Sequence, residues 1–184
     1  MIITINDIGS KKTYSFENAE DTSVFLKHTE ASGVHFQKVV DIIAASERVP
    51  KYSYDNKHSQ WSKDKGWVYV ISAGGKVVKI GQTDATLSSR FSSYQAGTRA
   101  NREKGTCSVT NWYCSEFFRE CHNKGIAVSV YAYCVPLTTQ QKVILGKTYT
   151  IRDKHAYAYE SAVLSEYKEV AGSFPVLSNN DSEI

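Results

Sequence analysis

The sequence predicts an α/β fold of the α+β type, a small and mainly antiparallel sheet flanked by helices. Three observations predict it. Residues 66–97 read as a tight hairpin running into a helix, residues 126–135 (IAVSVYAYCV) form a continuous β-branched and aromatic run, and residues 137–154 form a second hairpin or extended excursion with Gly146 near its turn. Between these strands, apolar residues recur at helical spacing. At 184 residues and 41% hydrophobic, the chain is long enough to bury one core. The expected organisation is one compact unit: an N-terminal part over residues 1–65, a core over 66–177 and a short tail over 178–184.

Taken in order, MIITINDI alternates as a strand does, and Asn6 to Ser10 reads as a turn. Residues 21–47 carry Val24, Phe25 and His28 at helical spacing; Ser32-Gly33 interrupts, and Phe36, Val39, Val40 and Ile43 resume the stripe until Pro50. These read as helices packing on the core or on a second subunit. Residues 51–65 mix cations with Tyr52, Tyr54 and Trp61 without a period, so they are either a solvated linker or a loop following a phosphate backbone.

The hairpin joins Trp67–Ser72 to Lys76–Gly81 through Ala73-Gly74-Gly75, where glycine permits the positive φ a tight turn needs. A helix capped by Asp84 or Thr86 follows, with Leu87, Phe91 and Tyr94 on its apolar stripe. Tyr69, Lys79 and Arg90 are the polar groups within these apolar patterns. A phenol and an ammonium aimed toward an Arg-bearing helix can handle phosphate, and an ordinary hairpin with a helix fits the same residues.

Arg99, Arg102 and Lys104 then fall on an exposed loop suited to phosphates or to guanine edges. Ser108 or Thr110 caps a helix reaching Asn123, with Val109, Trp112, Tyr113, Phe117 and Cys121 near its buried side and Lys124-Gly125 at its end. Pro136 ends the 126–135 strand. The last helix runs from about His155 to Val170 with Val163, Leu164 and Tyr167 on its stripe, and Glu160 sits one turn earlier on the same face. A carboxylate there requires a cation, a donor or a metal ion unless solvent reaches it, so a structural bridge, a solvated first turn and a functional group all remain open. Glu166 and Glu169 fall on the polar side.

The net charge of +3 permits nucleic acid as a partner. The four Cys include no CxxC pair, which argues against zinc and for reduced thiols. With neither a signal-peptide pattern nor an apolar run of membrane-spanning length, the expectation is a soluble cytoplasmic protein that engages no membrane.

Jointly, Trp67-Val68-Tyr69, Lys79-Ile80-Gly81, Arg90 on a helix and Glu160 on a later helix resemble the GIY-YIG nuclease superfamily over residues 66–177. GTCSVTNWYC, VSVYAYCV followed by LGKTY, and the helix around Glu160 resemble its small type II restriction endonucleases. The sequence departs from the pattern at Trp67, where Gly is usual, at Lys79, where Tyr is usual and Lys occurs in the restriction branch and in some phage-borne relatives, and at Ser178, which takes the usual Asn place after Pro175.

The resemblance implies a GIY-YIG-like core with an N-terminal helical extension, acting as a Mg²⁺-dependent endonuclease that cuts double-stranded DNA at a short palindrome as a homodimer. It implies Tyr69 as general base aided by Lys79, Arg90 on the phosphate and Glu160 as ligand of one Mg²⁺. Tyr94 is either a phosphate donor or a core aromatic. The N-terminal helices, the basic residues 99–104 and residues 137–154 are where dimer contacts and base readout are expected. Two alternatives stand beside it: a nuclease of a homing, repair or phage branch that nicks DNA, and a non-catalytic nucleic-acid-binding module.

Overall fold

The computed structural model describes residues 1–7, 10–44, 50–55, 61 and 63–178. Its centre is the expected hairpin, β5 (Trp67–Ala73) and β6 (Lys76–Thr83). Gly74 and Gly75 turn it at φ 56° and 82°, a pair of left-handed conformations that suits the twist of the two strands. Every residue of β5 is buried, as befits a strand covered on both faces.

Around the hairpin an antiparallel sheet forms in the order β4–β3–β7–β5–β6, with β3 at Gln37–Ala44, β4 at Pro50–Tyr54 and β7 at Val128–Cys134. Two hairpins stand outside it, β1 (Ile2–Asp7) with β2 (Ser10–Ser15), and β8 (Thr138–Ile144) with β9 (Lys147–Asp153). The helices are α1 (Thr22–Ala31), α2 (Leu87–Gln95), α3 (Arg99–Glu103), α4 (Val109–Asn123) and α5 (Ala156–Ala171).

The sheet's two faces carry two cores because side chains alternate along β5. Trp67, Tyr69 and Ile71 face Phe91, Tyr94, Phe117 and Phe118 from α2 and α4. Val68 and Val70 face Phe25 of α1 and Ala156, Val163 and Tyr167 of α5. Each such fully buried aliphatic or aromatic side chain contributes about 1.5–3 kcal/mol. The fold class predicted from sequence is the one observed.

Several element readings are corrected. The helix expected over 21–47 holds only for 22–31: residues 37–44 are strand β3, pairing β7 on one side and β4 on the other. Their β-branched residues gain more from a pleated, doubly paired surface than from helical χ1 restriction. The linker reading of 51–65 also fails where it is described, because Tyr52 and Tyr54 lie in β4 and Trp61 is buried against Trp67, ring centroids 5.0 Å apart. Residues 99–103 form a short helix instead of a loop, capped by Thr98, whose hydroxyl accepts from the Asn101 amide. Val109 is exposed at the first position of α4, where the stripe has not yet turned toward the core. The middle of the 6–10 turn, residues 56–60 and 62 of the 51–65 stretch, and the tail beyond Ser178 lie outside the described residues.

Candidate active site

Pleat, strand pairing and helix caps bring the polar residues into one cleft. Tyr69 pairs with Gly81 and Ile71 with Lys79 across β5 and β6, so the phenol and the ammonium leave the same face of the sheet. Thr86 caps α2 by accepting from the Ser89 amide, and on the first turns of that helix Arg90 points back over the hairpin. The cleft holds about 350 Å³ and is lined by Tyr69, Lys79, Gly81, Gln82, Arg90 and Glu160, with Ser108, Thr110 and Asn111 closing it from the start of α4.

Tyr69, Tyr94 and Arg90 form a closed triangle. The two hydroxyls are 2.8 Å apart, Arg90 Nε donates to the Tyr69 oxygen at 3.0 Å, and an Arg90 Nη donates to the Tyr94 oxygen at 3.1 Å. The guanidinium also lies over the Tyr94 ring, 4.6 Å from its centroid. Burial works against the Arg90 charge, yet the two phenol oxygens hold its pKa above the ordinary value. Burial pushes the Tyr94 phenol well up, so it stays protonated. Tyr94 is fully buried and sits behind Tyr69 and Arg90 instead of lining the cleft, which suits a supporting donor better than a phosphate contact.

Gly81 fits this arrangement for a steric reason. A Cβ built there would lie 2.5 Å from the Tyr69 oxygen and 2.6 Å from its Cζ, so the phenol occupies the space a side chain would take.

β6 is the last strand of the sheet, and its outward backbone groups are put to use. Leu177 N donates to the Val78 carbonyl at 2.9 Å, and Ser178 Oγ both accepts from Ile80 N and donates to Ile80 O at 2.9 Å. Lys79 Nζ donates to the Leu177 carbonyl at 2.9 Å, which fixes the end of a side chain only 5% exposed. Two residues further along the same edge, the Gln82 backbone amide favours the charged form of the Glu160 carboxylate, and both residues line the cleft. Glu160 belongs to α5, on the opposite face, and it reaches the cleft around this edge. Burial raises its pKa, opposed by Lys79, Arg90 and that amide.

All five residues marked from sequence as catalytic therefore converge. The three basic residues marked for DNA do not join them. Arg99 Nε donates to Glu103 at 3.0 Å, and Arg102 reaches Asp7 with Nε at 3.3 Å and an Nη at 3.2 Å, tying α3 to the first strand. Lys104 is exposed at the C-cap of α3. Sequence reasoning missed the edge contacts of Leu177 and Ser178, made to residues about a hundred positions away, and the cleft-facing positions of Asn111 and of Ser108 and Thr110, whose visible signal was helix capping.

Among the described residues no three His, Cys, Asp or Glu gather as a metal cluster, and no helix is long and apolar enough to cross a membrane. The Cys residues are free thiols.

No protein-family model matches the sequence, and no curated protein matches it. Two solved structures share the architecture. One is restriction endonuclease HPY188I in complex with product DNA, 25% identical with a TM-score of 0.56 over 88% of this chain and 87% of that one. The other is a mutant of bacteriophage T4 EndoII, 19% identical with a TM-score of 0.54 over 77% of this chain and 93% of that one. The sheet and helices described above thus make up a nuclease fold.

Proposed function

We propose that this chain is a Mg²⁺-dependent DNA endonuclease of the GIY-YIG superfamily, of the type II restriction kind, cutting both strands of a short palindrome as a homodimer. The observation that carries the reading is the meeting of Tyr69, Lys79, Arg90 and Glu160, drawn from β5, β6, α2 and α5, in one polar cleft. The likeness to two endonucleases, one of them holding product DNA, supports it.

Hydrolysis of a phosphodiester forms a bond from water oxygen to phosphorus and breaks the bond to the leaving sugar oxygen, so the site must take one proton and offset one developing charge. Tyr69, in its ionised form, takes the proton from water. Tyr94 and Arg90 Nε donate to the Tyr69 oxygen and stabilise that form, while the Lys79 ammonium, fixed by the Leu177 carbonyl, adds positive charge at the same face. Arg90 has N–H groups beyond the two that meet the phenols, and these are left to donate to a scissile phosphate.

Glu160, the one carboxylate among the described residues lining the cleft, is half-buried and fits Mg²⁺, which takes one or two protein carboxylates plus phosphate oxygens and water, and does not fit structural zinc. Glu160 would hold the ion, which when bound would supply positive charge to offset the charge developing in the reaction. One such site cuts one strand, so a two-fold pair is needed for both.

Digestion of plasmid and phage DNA in Mg²⁺ tests the reading. Discrete bands that vanish with EDTA support it, nicks or smears favour a phage-type nicking enzyme, and EDTA-insensitive binding without cutting favours a non-catalytic module.

A further inference from the structure

The β8–β9 hairpin is an arm without a core. All seven residues of β8 and six of the seven in β9 are exposed, and each strand packs chiefly against the other. A two-stranded ribbon alone is marginal in water, so an arm of this kind is held at its root and completed by what it binds. The root is well fixed. Thr138 Oγ1 donates to the Asp153 carbonyl at 2.8 Å, the Asp153 carboxylate accepts from the Lys154 amide at 2.7 Å, and Lys154 Nζ donates to Cys134 Sγ at 3.2 Å.

The pattern along the arm identifies the partner. A ribbon built to pack on protein alternates apolar with polar residues. Here TTQQK pairs with YTIRD, so both faces carry hydrogen-bonding groups. The cross-strand pairs Gln140–Ile151, Lys142–Tyr149 and Ile144–Lys147 share one face, and Thr139–Arg152, Gln141–Thr150 and Val143–Thr148 the other. Residues 137–154 contain Lys142, Lys147, Arg152 and Lys154 against Asp153 alone, a net positive charge equal to the +3 of the whole chain. The apolar residues concentrate at the tip, where Leu145 is 97% exposed.

Chain connectivity puts the root of the arm close to Glu160. Its last residue, Asp153, precedes the start of α5 by three positions, and Glu160 lies four residues into that helix, about 6 Å along its axis at 1.5 Å per residue. The seven residues of each strand span about 24 Å, and the major groove of B-DNA admits a two-stranded ribbon.

We propose that the β8–β9 hairpin is a DNA-reading arm that enters the major groove beside the scissile phosphate, with Lys142 and Lys147 on the backbone and Gln140 on base edges. The inference rests on the cleft being a nuclease site. It assigns sequence readout to the arm instead of to Arg99 and Arg102, whose guanidinium groups already meet Glu103 and Asp7.

Binding measurements test the arm separately from catalysis. In a Glu160→Gln background, affinity for a 30-bp mixed-sequence duplex is measured by fluorescence anisotropy across a salt series, as the parent, with K142A/K147A, and with the control K11A/K27A, which removes the same charge from β2 and α1. The arm double variant weakens binding at least tenfold and lowers the log–log salt slope by about 1.8, at about 0.9 per lost phosphate contact. The control stays within twofold. In otherwise wild-type protein, Gln140→Ala adds new cut sites to the digest.

Arm variants that bind within twofold of the parent overturn the proposal, as does an equal loss in the control. So does a result in which K142A/K147A shifts only the monomer–dimer equilibrium in sedimentation, which makes the arm a contact for a second copy. A wild-type chain that cuts no DNA while the arm variants still lose binding leaves the arm standing and refutes the nuclease reading instead.

Discussion

Gly81→Ala probes the active-site geometry with a single methyl group. The backbone tolerates the change, since Gly81 is absent from the glycines with positive φ. The added Cβ would meet the Tyr69 oxygen at 2.5 Å, Cζ at 2.6 Å and Cε2 at 2.8 Å, whereas ordinary contacts begin near 3.4 Å. The fully buried Tyr69 ring must therefore move by the better part of an ångström, out of reach of hydrogen bonds now 2.8 Å to Tyr94 and 3.0 Å to Arg90. Overpacking of this kind costs about 1–3 kcal/mol of stability. A displacement of about 1 Å in a reacting group costs about a hundredfold in rate. Single-turnover cleavage of plasmid DNA in saturating Mg²⁺, with thermal melting alongside, reads both. A variant that folds and cuts within threefold of wild type would refute the placement of the Tyr69 oxygen at the reacting centre.

Three further outcomes follow from the same geometry. Ser178→Ala removes both hydrogen bonds to Ile80, at about 0.5–1.5 kcal/mol each, and loosens the segment that fixes Lys79. Its cleavage rate falls about tenfold in wild type but hardly at all in a Lys79→Met background, and additive losses would show that Ser178 does not act through Lys79. Because burial raises the Glu160 carboxyl, its protonated form persists to higher pH than an ordinary glutamate's, so apparent Mg²⁺ affinity in titrations falls as pH is lowered into that raised range; a midpoint at the ordinary glutamate value contradicts it. Arg102→Ala breaks the contact with Asp7, lowers the melting temperature and leaves DNA affinity within twofold, and a selective loss of affinity would return Arg102 to the DNA interface.

Much of the site was legible because its elements are locally determined. Val- and Ile-rich runs around Gly-Gly specify the β5–β6 hairpin, a capping Thr starts α2, and a carboxylate on the apolar stripe of α5 marks Glu160 as a residue needing a partner. The strand β3 was not legible for a specific reason. The β3–β7 pairing slips between Lys38 and Val40, and this bulge buries Val39 and Val40 in succession. Burial at consecutive positions followed by Ile42 breaks the two-residue period of a strand and imitates a helical stripe. Tertiary pairing with β7 and β4 decided the matter.

Within the site, distance in sequence set the limit. Tyr94 reads as either a core aromatic or a phosphate donor, and only folding shows its hydroxyl against Tyr69 and Arg90. Ser178 was visible as a departure from a pattern, yet its two bonds to Ile80 depend on β6 lying at the sheet's edge. The basic residues 99–104 read as a loop because charge lies near a glycine, whereas 99–103 form a short helix in which Arg102 meets Asp7, far earlier in the chain.

The most direct test of the central claim is Glu160→Gln, which keeps the size and hydrogen-bonding capacity of the side chain and removes its charge. Cleavage of plasmid DNA in Mg²⁺ is measured beside binding of the same duplex in the absence of metal. The account predicts cleavage reduced by at least a thousandfold, with the melting temperature unchanged or raised and DNA affinity within threefold of wild type. Cleavage at the wild-type rate by a folded Glu160→Gln protein would contradict it.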